Sequence, residues 1–210
     1  MTEPKPPPLW IAPQPLILAS TSKTRRAMVE AAGIFAETRQ PGVDERAIEA
    51  GFHSSGAPVE DLALLLAREK ALAVSGREPG RLVLGADQTL ECEGEQFHKP
   101  ADPESARAQI AALAGRTHHL HSAAALAIDG VVVFETVATA DLTVRPLDEA
   151  FIARYVEAVG DAVLTSVGGY QVEGIGIQLF SRIVGDHFTI LGLPLLPLLA
   201  FLRAENYLAA

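Results

Sequence analysis

A four-residue apolar run, Leu16–Ala19, stops at Ser20, and a helical pattern begins at Lys23. No other part of the chain constrains the fold as much as this strand–turn–helix junction. So short a run, with no polar alternation, suits a strand buried on both faces, which needs helices to cover it. The alternation then continues. Further strands are expected at Phe35–Thr38, Arg81–Ala86, His119–Ile128, Val131–Val144 and Gln178–Ile183. Helices are expected at Lys23–Ala32, Val59–Val74, Asp102–Leu113, Asp148–Val159 and from Pro194 towards Glu205. Gly33 stops the first helix, and Asp102-Pro103-Glu104 opens another with an N-cap and a proline at the first helical position. Glu93-Gly94 and Asp129-Gly130 read as hairpin turns, and Gly42–Gly56 reads as a polar loop. Interleaved strands and helices imply an α/β fold, a mixed β-sheet with flanking helices. The order also offers two lobes around a central cleft, one with the first and last helices and one with the central hairpins.

At 210 residues the chain fits one domain, expected over residues 16–210 behind an extended, mobile proline-rich arm at residues 1–15. A net charge of −9 argues against a nucleic-acid partner, which would favour a basic footprint. A local positive cluster can still hold a small anion. Cys92 is the one cysteine, so no internal disulfide forms, which fits a reducing compartment. The arm lacks the apolar core of a signal peptide. The longest apolar run, Ile190–Leu202, is shorter than the about 20 residues a bilayer requires, and Pro194 and Pro197 interrupt it. A soluble, cytoplasmic protein with no membrane partner is expected.

The first junction is also chemically suggestive. Ser22 suits an N-cap, and a helix N-terminus with unpaired N–H groups is a ready anion site. Ser20, Ser22, Arg25 and Arg26 gather hydroxyls and guanidinium groups there, which suits phosphate. An ordinary cap with a solvated basic turn fits the same residues. Asp87 lies where the apolar run Leu82–Ala86 ends, a place where a carboxylate can hold a metal or activate water, or simply cap a turn. A two-residue turn at Glu93-Gly94 would set Gln88 opposite Lys99, bringing that lysine near Asp87. Lys70 sits four residues from both Leu66 and Val74, so an apolar stripe carries it towards the core, although snorkelling is common for lysine. Asp44-Glu45 is an acidic loop pair able to help bind a cation. The glycine-rich segment Gly168–Gly176 permits close backbone approach to a flat ligand, and Glu173 at its centre can accept two hydrogen bonds from a guanine edge. His119 and His121 alternate on one strand face and read as surface groups.

Together these segments resemble the Maf family of nucleotide pyrophosphatases, over nearly the whole chain from Leu16 to Leu202. The family's Leu-Ala-Ser-x-Ser-Pro-x-Arg-Arg is similar to Leu18–Arg26, its Asp-Glu pair to Asp44-Glu45, and its Ala-x-x-Lys-Ala helix to Ala67–Ala71. Gly85-Ala86-Asp87-Gln88, Lys99-Pro100, Ala114-Gly115-Arg116-Thr117-His118, Gly185-Asp186 and Gly192-Leu193-Pro194 follow in the family's order. The resemblance implies a twisted mixed sheet in two lobes, related in shape to inosine triphosphatases, and a homodimer. It implies hydrolysis of a nucleoside triphosphate between its α- and β-phosphates, with a divalent cation (Mg, Mn or Co). By position, Asp87 would be the catalytic acid/base. Ser20, Ser22, Arg25, Arg26, Lys70 and Lys99 would hold phosphates, and Glu45 and Asp87 the metal.

Three positions, Thr24, Gln88 and Glu173, are those at which the family sorts its bases. The branch acting on thymidine and uridine nucleotides usually carries Arg, Thr and Gln, and the branch resembling 7-methyl-GTP pyrophosphatase carries Trp, Gln and Glu. Gln88 and Glu173 match the second branch, and Thr24 matches neither. The resemblance therefore points to a guanine-type base, 7-methyl-GTP included. Its rivals are a dTTP/UTP pyrophosphatase and a nucleotide-binding regulator of septum formation with little turnover.

Overall fold

In the computed structural model the described residues are 7–210. Seven strands form a mixed sheet: β1 (Leu16–Ala19), β2 (Ala36–Thr38), β3 (Val83–Cys92), β4 (Glu95–Phe97), β5 (Thr117–Ile128), β6 (Val131–Val144) and β7 (Phe180–Val184). The helices are α1 (Lys23–Ala31), α2 (Glu45–Ser55), α3 (Leu62–Ser75), α4 (Pro103–Leu113), α5 (Glu149–Val159), α6 (His187–Ile190) and α7 (Leu195–Ala204). The α/β expectation holds. The chain divides into two compact units. The first takes the chain through Gln88, Ser122–Ala138 and His187–Ala210; the second takes Thr89–His121 and Thr139–Asp186. The first and last helices fall in the first unit, as expected. The Asp129-Gly130 hairpin falls there too, not with the other hairpin.

In the first unit the strand order is β2-β1-β3-β5-β6, with β1 parallel to β2 and β3. Period-two alternation assigns side chains to faces. Leu16 and Leu18 of β1, Leu84 and Ala86 of β3, and Ala124 and Leu126 of β5 join Met28 and Val29 of α1 and Leu195, Leu198 and Leu202 of α7 in the main core. The alternate residues face α3. Ile17, Ala19 and Val83 pack with Val74, and Ala123, Ala125 and Ala127 pack with Ala63, Ala67 and Ala71. This second contact is built of alanines because the helix lies so close to the sheet. A Cβ on Gly85 would collide with the Ala67 carbonyl oxygen and come within 2.6 Å of the Ala71 nitrogen.

The second unit has the order β4-β3-β5-β6-β7, with β3/β4 and β6/β7 antiparallel. Glu93 (φ +54°) and Gly94 (φ +86°) make the expected two-residue turn. The ladder runs Cys92↔Glu95, Glu91↔Gln96 and Leu90↔Phe97, the register anticipated, and ends there. α4 and α5 pack together in this unit.

Several expectations are corrected. Gly42–Gly56 is not a loop but α2, with Asp44 as N-cap (Ala47 N–H to Oδ1, 3.1 Å) and Gly56 in the left-handed region as its stop. Phe52 decides the matter by packing on Leu62 and Leu66. Asp87 is not at a strand end but within ten-residue β3; it is β1 that stops, opposite Gly85. The described part of the amino-terminal arm is docked: Trp10 is buried, donates to the Gln14 carbonyl at 3.0 Å, and bridges to Leu208. Residues 1–6 of that arm lie outside the described residues. His121 is buried, with Nδ1 3.0 Å from Thr139 Oγ1, although His119 on the same face is part-exposed. Among the described residues no helix is long and apolar enough to cross a membrane.

Candidate active site

Lys70 is the centre of the site. It belongs to the buried stripe of α3 (Leu62, Ala63, Leu66, Ala67, Lys70, Ala71, Val74), so the helix carries an ammonium group inward. Asp87 shares the α3-facing side of β3 with Val83 and Gly85, and both side chains are nearly sealed from solvent, 7% exposed for Lys70 and 11% for Asp87. Lys70 Nζ donates to Asp87 Oδ1. It also lies 3.0 Å from Glu45 Oε1, where Glu45 is the first residue of α2 and about half exposed. Folding a loop into α2 is what delivers Glu45. A buried lysine needs such partners, since leaving either charge unpaired is costly.

Ser20 and Ser22 follow where β1 leaves the sheet. Ser20 is buried, and its Oγ accepts from the Ser22 N–H at 3.1 Å. Ser22 is the N-cap of α1, as expected, its Oγ accepting from the Arg25 N–H at 3.3 Å. One cap bond leaves the first-turn amides of Lys23 and Thr24 outside it. Thr24 is exposed on that turn.

The two arginines part company. Arg26 points out and pairs with Glu30 at 2.7 Å, both about half exposed. Arg25 turns in. Its Nε donates to the Gly192 carbonyl at 2.8 Å and its Nη1 to the Ala86 carbonyl at 3.0 Å. Burial holds its guanidinium below the usual arginine range, against the opposing pull of Asp87 and Glu45. Gln88 is engaged in a similar way. Its Nε2 reaches Ser122 Oγ at 3.0 Å, the Thr189 carbonyl at 3.1 Å and the Ile190 carbonyl at 3.0 Å. Arg25 and Gln88 are thus tied to residues 189–192, a role that local sequence did not reveal. Ser122, buried and hydrogen-bonded to Thr189 O at 2.7 Å, was missed altogether.

The structure therefore brings Glu45, Lys70 and Asp87 together in the first unit, with Ser20, Ser22, Arg25 and Gln88 in the same unit. Lys99 and Glu173 belong to the second unit and are exposed there. Lys99 follows two residues after the end of the β3–β4 ladder. The glycines around Glu173 serve internal packing: a Cβ at Gly168 would meet the Tyr170 ring and Leu90, and one at Gly176 the Gln171 backbone.

Two carboxylates already arranged around a cation suit a hard divalent ion, which takes oxygen ligands and often only one or two protein carboxylates beside substrate phosphates. The described residues include no group of three or more His, Cys, Asp or Glu able to hold a metal. Glu45 and Asp87 thus fit an ion shared with a phosphate ligand, not a closed protein cage.

The profile described as Maf-like protein matches residues 15–205. A protein of Rhodopseudomonas palustris named nucleoside triphosphate pyrophosphatase is 53% identical over 203 residues, 96% of this chain and 98% of that one. Two proteins named 7-methyl-GTP pyrophosphatase are similarly close. The one from Mesorhizobium japonicum is 56% identical over 90% of this chain and 94% of its own, and the one from Brucella abortus is 54% identical over 91% and 96%.

Proposed function

The chain belongs to the Maf-like protein family, and from that membership we propose that it is a nucleoside triphosphate pyrophosphatase. It splits the anhydride between the α- and β-phosphates and releases a nucleoside monophosphate and diphosphate. The observation that carries this reading is the Lys70 ammonium buried between the carboxylates of Asp87 and Glu45, beside the turn from β1 into α1. Phosphoanhydride cleavage needs positive charge against the phosphates and a base for water. The chain supplies both. Lys70 offsets phosphate charge, and the Ser20 hydroxyl and the first-turn amides of α1 donate to phosphate oxygens. Asp87 takes the proton of the attacking water as its oxygen bonds to phosphorus, and the bridging oxygen leaves on the other phosphate. Glu45 and Asp87 would hold a divalent cation, Mg, Mn or Co, which when bound neutralises phosphate charge.

The substrate carries a guanine-type base, with Glu173 accepting from its N–H edge. Relatives named for 7-methyl-GTP support this reading. Thr24 cannot stack on a cationic base as an aromatic residue would, so the carboxylate is the main base contact.

Asp87→Asn keeps the size of the side chain and removes the base. It should lower kcat for diphosphate release by about a thousandfold with the melting transition retained, and chelation of divalent ions should silence the wild type until Mg, Mn or Co is restored. Unchanged turnover in Asp87→Asn sinks the assignment; retained nucleotide binding with no metal-dependent turnover favours a regulator. Glu173→Gln should flatten the preference for guanine-type bases across a nucleotide panel, and an unaltered preference rejects that contact.

A further inference from the structure

We infer that Arg25, Gln88 and Ser122 form a clamp that fastens residues 189–192 to strands β3 and β5 and so positions Asp87; Ser122 is the positioning residue that closes it. The inference rests on the reading of Asp87 as the catalytic base. Asp87 faces α3, whereas its neighbours Ala86 and Gln88 belong to the other side of β3. Both neighbours are held there. The Ala86 carbonyl accepts from Arg25 Nη1, and the Gln88 side-chain amide donates to Ser122 Oγ and to two carbonyls. The strand is therefore held on both sides of Asp87, through the backbone of Ala86 before it and the side chain of Gln88 after it.

The other jaw is the end of α6. A short helix leaves its last carbonyls without intrahelical donors. Those of Thr189 and Ile190 are met by Gln88 Nε2, and that of Thr189 also by Ser122 Oγ and the Gly192 N–H at 3.0 Å. Because Thr189 and Ile190 offer only carbonyls, the Gln88 nitrogen must be the atom facing them. Its Oε1 lies on the Gly192 side, 3.4 Å from where a Cβ would stand. Gly192 itself has φ +98°, and a Cβ there would also come within 3.5 Å of Arg25 Nε, so the turn admits glycine and little else. Arg25 then reaches across to the Gly192 carbonyl and closes the ring of contacts. Ser122, on β5, is fully buried and reaches both Gln88 and Thr189, so it joins the strand side to the helix side. In this arrangement Arg25 and Gln88 act through position.

The experiment uses the full chain with Ser122→Ala and Gln88→Glu, the second placing a carboxylate oxygen against two carbonyls. Kinetics on a panel of nucleoside triphosphates and hydrogen exchange at the amides of residues 87–88 and 191–193 are read together. The clamp predicts a fall in kcat of about tenfold for Ser122→Ala and more for Gln88→Glu. KM should stay within about twofold, the loss should be equal for every base, and exchange should be faster at both sets of amides. A raised KM with a changed order of bases and unchanged exchange overturns the clamp and makes Gln88 a base reader. Unchanged exchange with unchanged kcat overturns it as well. A wild type that releases no diphosphate from any triphosphate rejects the proposed activity instead, and the exchange data still decide the clamp.

Discussion

His118 links acid to the stability of the fold. It is fully buried on β5, with Nε2 at 2.6 Å from the Tyr170 hydroxyl, and burial pushes its imidazole down to about 4. The unfolded chain protonates the same group below about 6.5. Between those values the unfolded state holds the extra proton, so acid favours unfolding: stability falls as pH drops from about 6.5 towards 4, by up to about 3 kcal/mol. Urea denaturation from pH 7.5 to 4.5 should show a shallower decline in His118→Gln than in the wild type, and parallel curves would refute this. His119 and His121 alternate onto one face, yet only His121 is buried, beside Thr139, a difference that alternation cannot show. Lys70 was legible, because its spacing from Leu66 and Val74 fixed its face. The contacts of Arg25 and Gln88 could not be read from the sequence, since their partners lie 167 and 101–102 residues away.

Among the elements, the packing of α3 on the sheet sets the separation of Lys70 from Asp87. Gly85 has no room for a methyl group against the Ala67 and Ala71 backbone. Gly85→Ala should therefore cost about 3 kcal/mol and lower activity together with stability, as read by thermal melts and turnover of the same preparation; a fully stable, fully active variant would mean the helix lifts freely. Most elements could be read directly: the bounds of β1 and β6 are those expected from the sequence, and Ser22, Asp102 and Asp148 cap α1, α4 and α5 where hydroxyl or carboxylate precedes a helical pattern. α2 was hidden by Gly51, Ser54 and Ser55, which look like loop residues. The signal was present in Asp44 as a cap and in Ile48 and Phe52 one helical turn apart.

For the molecule as a whole, β3, β5 and β6 each continue from one contact unit into the other. Strands held in common make separate melting of the units costly. Trp10, the single tryptophan, is buried in the first unit, so its fluorescence should lose its native signal at the same urea concentration as the far-UV circular dichroism of the entire chain. Two separated transitions would reject one cooperative fold. The division into units was foreseen from the order of elements, although which hairpin belonged to which was not, because hairpin sequence is local and sheet membership is not. The alanine contact beneath Lys70 has a last consequence, for how this chain can vary. Ala63, Ala67, Ala71, Ala123, Ala125 and Ala127 have almost nothing left to lose. Nearly all variation there must add bulk, and added bulk opens no cavity; it shifts a charge. In a mutational survey these six silent methyl groups would score alongside the acid and the lysine, though they carry no chemistry of their own.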